Sequence, residues 1–383
     1  MVLVKGTSEI ETPEEFRALS SIAADVWHAG DREPGAYEWW YFDAISDDKR
    51  DALVIIFLGN FTFSPRYNRA AAELQPTDRP VRFPALAVCL YRDGRPVFRA
   101  INEYTANEFT ARTDHPVCHI GRSSFHLQKT SGALSYVVTL DEPIRRGRRM
   151  TATLEWKVTQ GDFSPGESDD GKLSQPGTDN EARVPAHEWN MVAPRCCVSG
   201  KIAVSGRNNT LIMQREFRGT GYHDHNRDRR WMASTIARWQ WGRAHFDDET
   251  TVVFYYYREC DRVAPVIRVF TICRGARSIH KAQITEEEAR RHYFGLRYPR
   301  RLRFDFGTGR TEETLRVRQG RMIDSSFFYL RFLSEMTLET GGGQTWSATG
   351  ITEQLAPQSL RWRWLDWLTD MRIGRNGAGS LLP

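Results

Sequence analysis

Short strand-like apolar runs separated by turn residues dominate the chain. The first series comprises Trp39–Ala44, Ala52–Phe63, Pro84–Tyr91, Val97–Tyr104, Ser124–Gln128, Leu134–Leu140 and Met150–Val158. Turn signals such as Ser46-Asp-Asp-Lys49 and Arg92-Asp-Gly-Arg95 separate them, and strands punctuated in this way predict an antiparallel sandwich or barrel. A stretch at 160–183, rich in Gly, Ser, Asp and Pro, predicts a long flexible surface loop. A second series then runs through Arg195–Val204, Thr210–Phe217, Met232–Ala244, Thr251–Tyr257, Val266–Cys273, Arg301–Phe306, Thr314–Arg318, Phe327–Glu339 and Gln344–Glu353. The chain therefore reads as two β halves meeting near residues 195–205.

Helical signals are few. Thr12-Pro-Glu-Glu-Phe16 has a Thr cap, Pro at the first position and acids in the first turn, which predicts a short leading helix ending near His28-Ala-Gly30. Thr285-Glu-Glu-Glu-Ala-Arg-Arg291 places acids ahead of bases as a helix dipole prefers. In the tail from Ser359, the residues Leu360, Trp364, Trp367, Leu368 and Met371 recur at three- and four-residue steps. Such an apolar stripe docks onto the protein's own body or, with Trp and Arg together, lies on a membrane surface.

Composition narrows the class. At 383 residues and 40% apolar content the chain is long enough for two ordinary folded domains. A net charge of +5, with Arg spread along the chain, does not call for a nucleic-acid partner. The first residues show no secretory signal pattern, and no apolar run approaches the ~20 residues of a membrane span. The expectation is a soluble cytoplasmic protein. Six cysteines lack C-x-x-C spacing and read as free thiols.

Acid, base and aromatic groups are densest at Gly219-Thr-Gly-Tyr-His-Asp-His-Asn226, with Trp239-Gln-Trp241 and His245 just downstream. The Gly-Thr-Gly sequence suggests a sharp turn that presents His223, Asp224, His225 and Asn226 at a loop or strand end. A carboxylate among aromatics is desolvated and holds its proton at neutral pH, which makes Asp224 the general-acid candidate. His223 and His225 form a His-x-His pair able to bind metal, but no Cys or carboxylate cluster in the sequence completes a ligand set, and no metal is expected. The bland alternative is a hydrogen-bonded turn tying the halves together. Trp39, Trp40, Tyr41, Trp239 and Trp241 suit either core filling or a cavity wall that stabilises a carbocation by cation–π attraction. No nucleophile elbow, phosphate loop or dinucleotide fingerprint is present in the sequence.

Several segments carry a family resemblance. Glu38-Trp-Trp-Tyr-Phe-Asp43 followed by Ala52–Tyr67 resembles the N-terminal signature of the carotenoid 1,2-hydratases, also called hydroxyneurosporene synthases. His187-Glu-Trp-Asn-Met-Val-Ala-Pro-Arg195, Gly221-Tyr-His-Asp-His-Asn226 and Gly350-Ile-Thr-Glu-Gln-Leu355 resemble later family segments, in the family's order. After Asn226 this chain departs from the family pattern with Arg227-Asp-Arg-Arg230. The resemblance implies an all-β fold of two lipocalin-like antiparallel barrels: a helical extension over 1–33, one β domain over 34–197, and another over 198–383 with a C-terminal helix. It also implies cofactor-independent addition of water to the terminal double bond of an acyclic carotenoid or other isoprenoid. The Trp and Arg residues of the tail, taken by themselves, add the expectation of peripheral contact at the inner membrane surface. Terpenoid cyclases, Diels–Alderase-like pericyclases and apolar-ligand carriers are the alternatives on related folds. The expected catalytic residues are Asp224, His223, Tyr41 and Asn226. Trp39, Trp40, Glu38, Asp43, Trp239, Trp241 and His225 are expected to contact substrate.

Overall fold

The computed structural model describes residues 16–29, 33–75, 79–130, 132–161, 187–247, 249–273, 276–307 and 312–382. Two β assemblies are built from the alternating strands. The first is an open, curled sheet whose strands are β1 (Phe16–Leu19), β2 (Tyr37–Ser46), β3 (Asp51–Leu58), β4 (Ala85–Arg92), β5 (Arg95–Glu103) and β6 (Phe109–Ala111), followed by β7 (Val117–Ile120), β8 (Ser123–Thr130), β9 (Ala133–Ile144), β10 (Arg148–Gln160), β11 (His187–Ser205) and β12 (Leu211–Asp228). Its spatial order is β5-β4-β3-β2-β12-β11-β10-β9-β8-β7-β6. β1 pairs in parallel with the start of β11, beyond the point where β10 has ended. The curl is tied across by Asn102 of β5, which donates to Glu142 of β9 at 2.5 Å and to the Pro143 carbonyl.

The second assembly is a closed eight-stranded barrel. It runs β13 (Ile236–His245), β14 (Thr251–Glu259), β15 (Val266–Cys273), β16 (Ala276–Arg291), β17 (Arg297–Phe306), β18 (Glu313–Ser325), β19 (Tyr329–Glu339) and β20 (Thr345–Leu355). The all-β expectation holds, with one barrel closed and the other half an open curl. Because β11 and β12 both belong to the curled sheet, the change of assembly falls between Asp228 and Ile236. A division at 197/198 cuts through β11.

Three expected helices differ. Phe16–Leu19 is a strand, drawn into pairing by the free edge of β11, and residues 1–15 lie outside the described part. Thr285–Arg291 is the end of β16, where pairing with Arg297–Arg303 of β17 outweighs the dipole-favoured charge order. The tail is shorter in helix than its stripe suggests: turns at Pro357–Arg361 and Arg363–Leu365 precede a helix at Asp366–Asp370. An eight-residue helix at Pro65–Ala72, unforeseen, opens on a proline. The loop expected over 160–183 lies almost wholly outside the described residues.

The strand period sorts side chains into separate cores. Trp40, Phe42 and Ala44 of β2 enter the core inside the curl with Phe57, Phe125, Tyr136 and Trp156. Tyr37, Trp39 and Tyr41 face the other way, joining Trp189, Trp239, Trp241 and Tyr255 in a core shared with the barrel. Alternate residues of the barrel strands, including Phe254, Phe304, Leu315 and Met336, make a third core. β2 is consequently buried on both faces.

Candidate active site

A cavity of about 300 Å³ lies where the curled sheet meets the barrel. Six of the expected site residues line it: Trp39, Tyr41, Asp224, Asn226, Trp239 and Trp241. The register explains their convergence. Tyr41 lies directly opposite Asp224, and Trp39 opposite Asn226, so all four project from one face of adjacent strands. From the barrel, Trp241 meets Tyr41 edge to face at 5.4 Å between ring centroids, and Trp239 stacks on Trp39 at 5.6 Å. Most of the wall is apolar.

Asp224 is 4% exposed. Its Oδ2 accepts hydrogen bonds from Trp189 Nε1 at 2.9 Å and Tyr222 Oη at 2.8 Å, and its Oδ1 accepts from Asn226 Nδ2 at 2.9 Å. Burial pushes the carboxyl up to about 7; the Trp189 and Tyr222 donors oppose the shift, while the nearby Glu353 and Asp43 carboxylates add to it. The group thus holds a proton near neutrality, and the three donors stabilise the carboxylate left when the proton departs.

The same period places the other half of the motif elsewhere. His223 and His225 point to the opposite face of β12, into the core of the curl, and neither lines the cavity. His223 stacks on Phe42 at 3.9 Å, with Nδ1 3.0 Å from the Tyr41 carbonyl and Nε2 3.0 Å from Asp25. His225 lies between two carboxylates, 2.7 Å from Glu38 and 3.2 Å from Asp25. Desolvation alone would lower its pKa, but the hydrogen bonds to Asp25 and Glu38 raise it to about 9. Glu38 and Trp40 share that rear face, with Trp40 stacked on His225 at 4.7 Å. Asp43 is engaged by Arg243 of β13 and His245 by the Pro194 carbonyl, and both stand outside the cavity wall. The Gly-Thr-Gly sequence is mid-strand, not a turn. Gly221 is needed there for close approach, since a Cβ would come within 2.6 Å of Trp156 Nε1 and the Asp43 carbonyl.

Histidine pairing with carboxylates also completes a set of possible metal ligands that the sequence did not show. Ligand atoms of His28, Glu38 and His225 lie within 4.8 Å of one another. Hydrogen bonds already join them: His28 Nδ1 is 2.9 Å from Glu38 Oε1 and His225 Nε2 is 2.7 Å from the same atom.

Sequence reasoning missed a polar cluster on the cavity's far wall. Tyr41 Oη donates to Glu353 at 3.2 Å, and burial holds that phenol's pKa well above its ordinary value. Arg331 Nε bonds Glu353 at 2.8 Å, and Arg99 bridges from the sheet to Asp324 of β18 at 2.5 Å. Glu353 sits in the Gly350–Leu355 segment, where a lone acid among strand residues was the available signal. Trp189, a direct partner of Asp224, lies in the His187–Arg195 segment. The departure at Arg227–Arg230 also has a local reason: Arg227 pairs with Glu188, and Arg230 pairs with Asp228 and with Glu259 of the barrel.

With a share of 27% identical positions over 367 residues, the chain is similar to a protein named hydroxyneurosporene dehydrogenase from Chlorobaculum tepidum, covering 93% of this chain and 92% of that one. Acyclic carotenoid 1,2-hydratases from Rubrivivax gelatinosus and Thiocapsa roseopersicina are 27% and 28% identical over 232 and 227 residues. Those matches cover 59% and 58% of this chain but 49% and 47% of the hydratases, about half their length. Among solved structures, CghA with Sch210972 superposes with a TM-score of 0.57 at 12% identity, over 90% of this chain and 96% of that one. A putative AttH from Nitrosomonas europaea gives 0.56 at 14%, over 89% and 97%. These two likenesses concern the fold alone. The family profile described as carotenoid hydratase CrtC matches residues 172–380, more than half of the 383, and the chain belongs to that family.

Proposed function

We propose that this protein is a hydro-lyase that adds water to the terminal double bond of an acyclic carotenoid or related isoprenoid. The observation that carries this reading is Asp224, a buried acid with its pKa pushed up to about 7, set in an apolar cavity walled by Trp39, Tyr41, Trp239 and Trp241. Membership of the carotenoid hydratase family and the two hydratase relatives support the substrate class.

Asp224 gives its proton to the terminal alkene, and the π electrons of that bond form the new C–H bond. The resulting tertiary cation lies against indole and phenol faces, whose negative quadrupoles favour it while the cavity limits water. Glu353, held by Tyr41 and Arg331, adds negative charge on the far wall. A water positioned by Asn226, whose amide already bonds Asp224 at 2.9 Å, attacks the cation. The oxonium proton then passes to the Asp224 carboxylate, restoring the acid. These steps use groups of this chain alone. His223, facing away from the cavity, is left out of the catalytic role expected for it from the sequence.

Incubation with acyclic carotenoids followed by mass analysis tests the reading. Hydration adds one water to the product; Asp224→Asn, which cannot donate the proton, is expected to lower turnover by ~100-fold or more while remaining folded. Unchanged product mass would point to cyclisation, loss of two hydrogens to dehydrogenation, and tight binding without turnover to a carrier.

A further inference from the structure

We propose that the outer face of the C-terminal segment 359–371 docks on an anionic lipid bilayer, so that the end of a long apolar chain passes from the bilayer into the cavity. This rests on the hydratase reading for the identity of the cargo. The segment is a single layer with two different faces. Inward, Leu360 and Leu365 are buried against Ala233, Phe327 and Phe328. Phe327, Phe328 and Leu368 are themselves part of the cavity wall. Outward, Arg361, Trp362, Arg363 and Trp364 are four consecutive exposed residues.

Trp362, Trp364 and Trp367 are 49%, 73% and 56% exposed, and they are the strongly exposed tryptophans among the described residues. A folded chain that buries or half-buries its remaining indoles has no internal use for three in water within six positions, and clustered exposed apolar side chains mark a contact surface. Tryptophan and arginine together are the side chains that favour a membrane interface. Charge supports an anionic surface: exposed Arg69, Arg361 and Arg363, with half-buried Arg372 and Arg375, outnumber the neighbouring acids Glu73, 3.8 Å from Arg363, Asp366, 4.0 Å from Arg69, and Asp370, 2.8 Å from Arg375. Leu381 adds a further exposed apolar side chain, its backbone N–H bonded to the Met371 carbonyl, while its neighbour Leu382 lines the cavity.

Cavity size gives the second, independent reason. About 300 Å³ is at the bottom of the range of roughly 300–1,000 Å³ for small-molecule sites. It accepts the terminal part of a polyene, and the rest of such a chain stays outside the cavity, where an apolar phase favours it over water.

The test uses the full chain with vesicles of phosphatidylcholine alone and of phosphatidylcholine with phosphatidylglycerol. The wild type is expected to co-sediment with the anionic vesicles and to show a blue-shifted indole emission there. A variant carrying Trp362→Ala, Trp364→Ala and Trp367→Ala is expected to lose at least ~10-fold in partitioning, and Arg361→Glu with Arg363→Glu to remove the preference for anionic vesicles. Turnover separates docking from chemistry. With substrate dispersed in detergent the tryptophan variant should match the wild type, and with substrate in vesicles it should fall about as much as its binding. Equal partitioning of wild type and tryptophan variant, or no partitioning by either, overturns the docking surface. Absence of hydration in detergent and vesicles alike defeats the hydratase reading instead, and leaves the vesicle binding measurement standing.

Discussion

At the scale of single residues, the proposed mechanism asks one carboxyl to be an acid and a buried group at once, and these demands have linked consequences. Asp224 has a folded-state pKa near 7 against an ordinary value of 3.8. Turnover that needs its proton should therefore be constant at low pH and fall as pH rises through about 7, a profile measurable as kcat against pH. Stability follows the same proton. A folded pKa above the unfolded one means the protonated form contributes stability that is complete below about pH 4 and lost as pH rises through about 7. At about 1.4 kcal/mol per pKa unit the loss is at most about 4 kcal/mol. Asp224→Asn lacks this slope, so its unfolding midpoint relative to wild type should rise between pH 4 and pH 8. A parallel pH dependence in both proteins would place the pKa elsewhere. The placing of Asp224 as a buried carboxyl among aromatics was legible from the sequence. Its partner Trp189 was not, because the contact joins residues 35 apart in sequence through strand register.

At the scale of elements, β12 shows both the reach of pattern reading and its limit. Alternation identifies the strand, and it also divides Tyr222-His-Asp-His-Asn226 between two faces. Treating the segment as a turn instead gathers all its polar groups into one site. The glycines that suggest a turn are there because Trp156 and the neighbouring backbone leave no space for a Cβ. The rear histidines are consequently read as structural. His225 is raised to about 9 by its hydrogen bonds to Asp25 and Glu38 in spite of its burial, so its charged form contributes stability that is full below about pH 6.5 and lost as pH rises through about 9. His225→Ala leaves two buried carboxylates without that cation and should cost about 3–5 kcal/mol at pH 7. The gap between variant and wild type in denaturant unfolding should narrow above pH 9. An equal gap at pH 7 and pH 10 would show that lost packing, not charge, sets the cost. Other elements escaped the sequence for a similar reason: β16 carries helix-like charge order over 285–291, and only its pairing with β17 makes it a strand.

At the scale of the whole molecule, the two assemblies share a core in place of a solvated boundary. Tyr37, Trp39 and Tyr41 from the sheet and Trp239, Trp241 and Tyr255 from the barrel belong to one apolar cluster, so neither assembly can unfold without exposing aromatic surface of the other. Polar links reinforce the junction, among them Asp43 with Arg243 and Arg99 with Asp324. Two series of strands suggested two independent units because sequence pattern marks which residues are buried without saying what buries them. The shared core argues that thermal unfolding is cooperative, with one calorimetric transition whose van't Hoff and calorimetric enthalpies agree. Arg243→Met separates the contributions of charge and apolar contact. Removing one partner of a buried pair costs about 3–5 kcal/mol, so the midpoint should fall. The transition should nevertheless remain single, because the aromatic cluster that couples the assemblies is left intact. Two resolved transitions in the wild type would show that the assemblies fold independently, and two in the variant alone would assign the coupling to the Asp43–Arg243 pair.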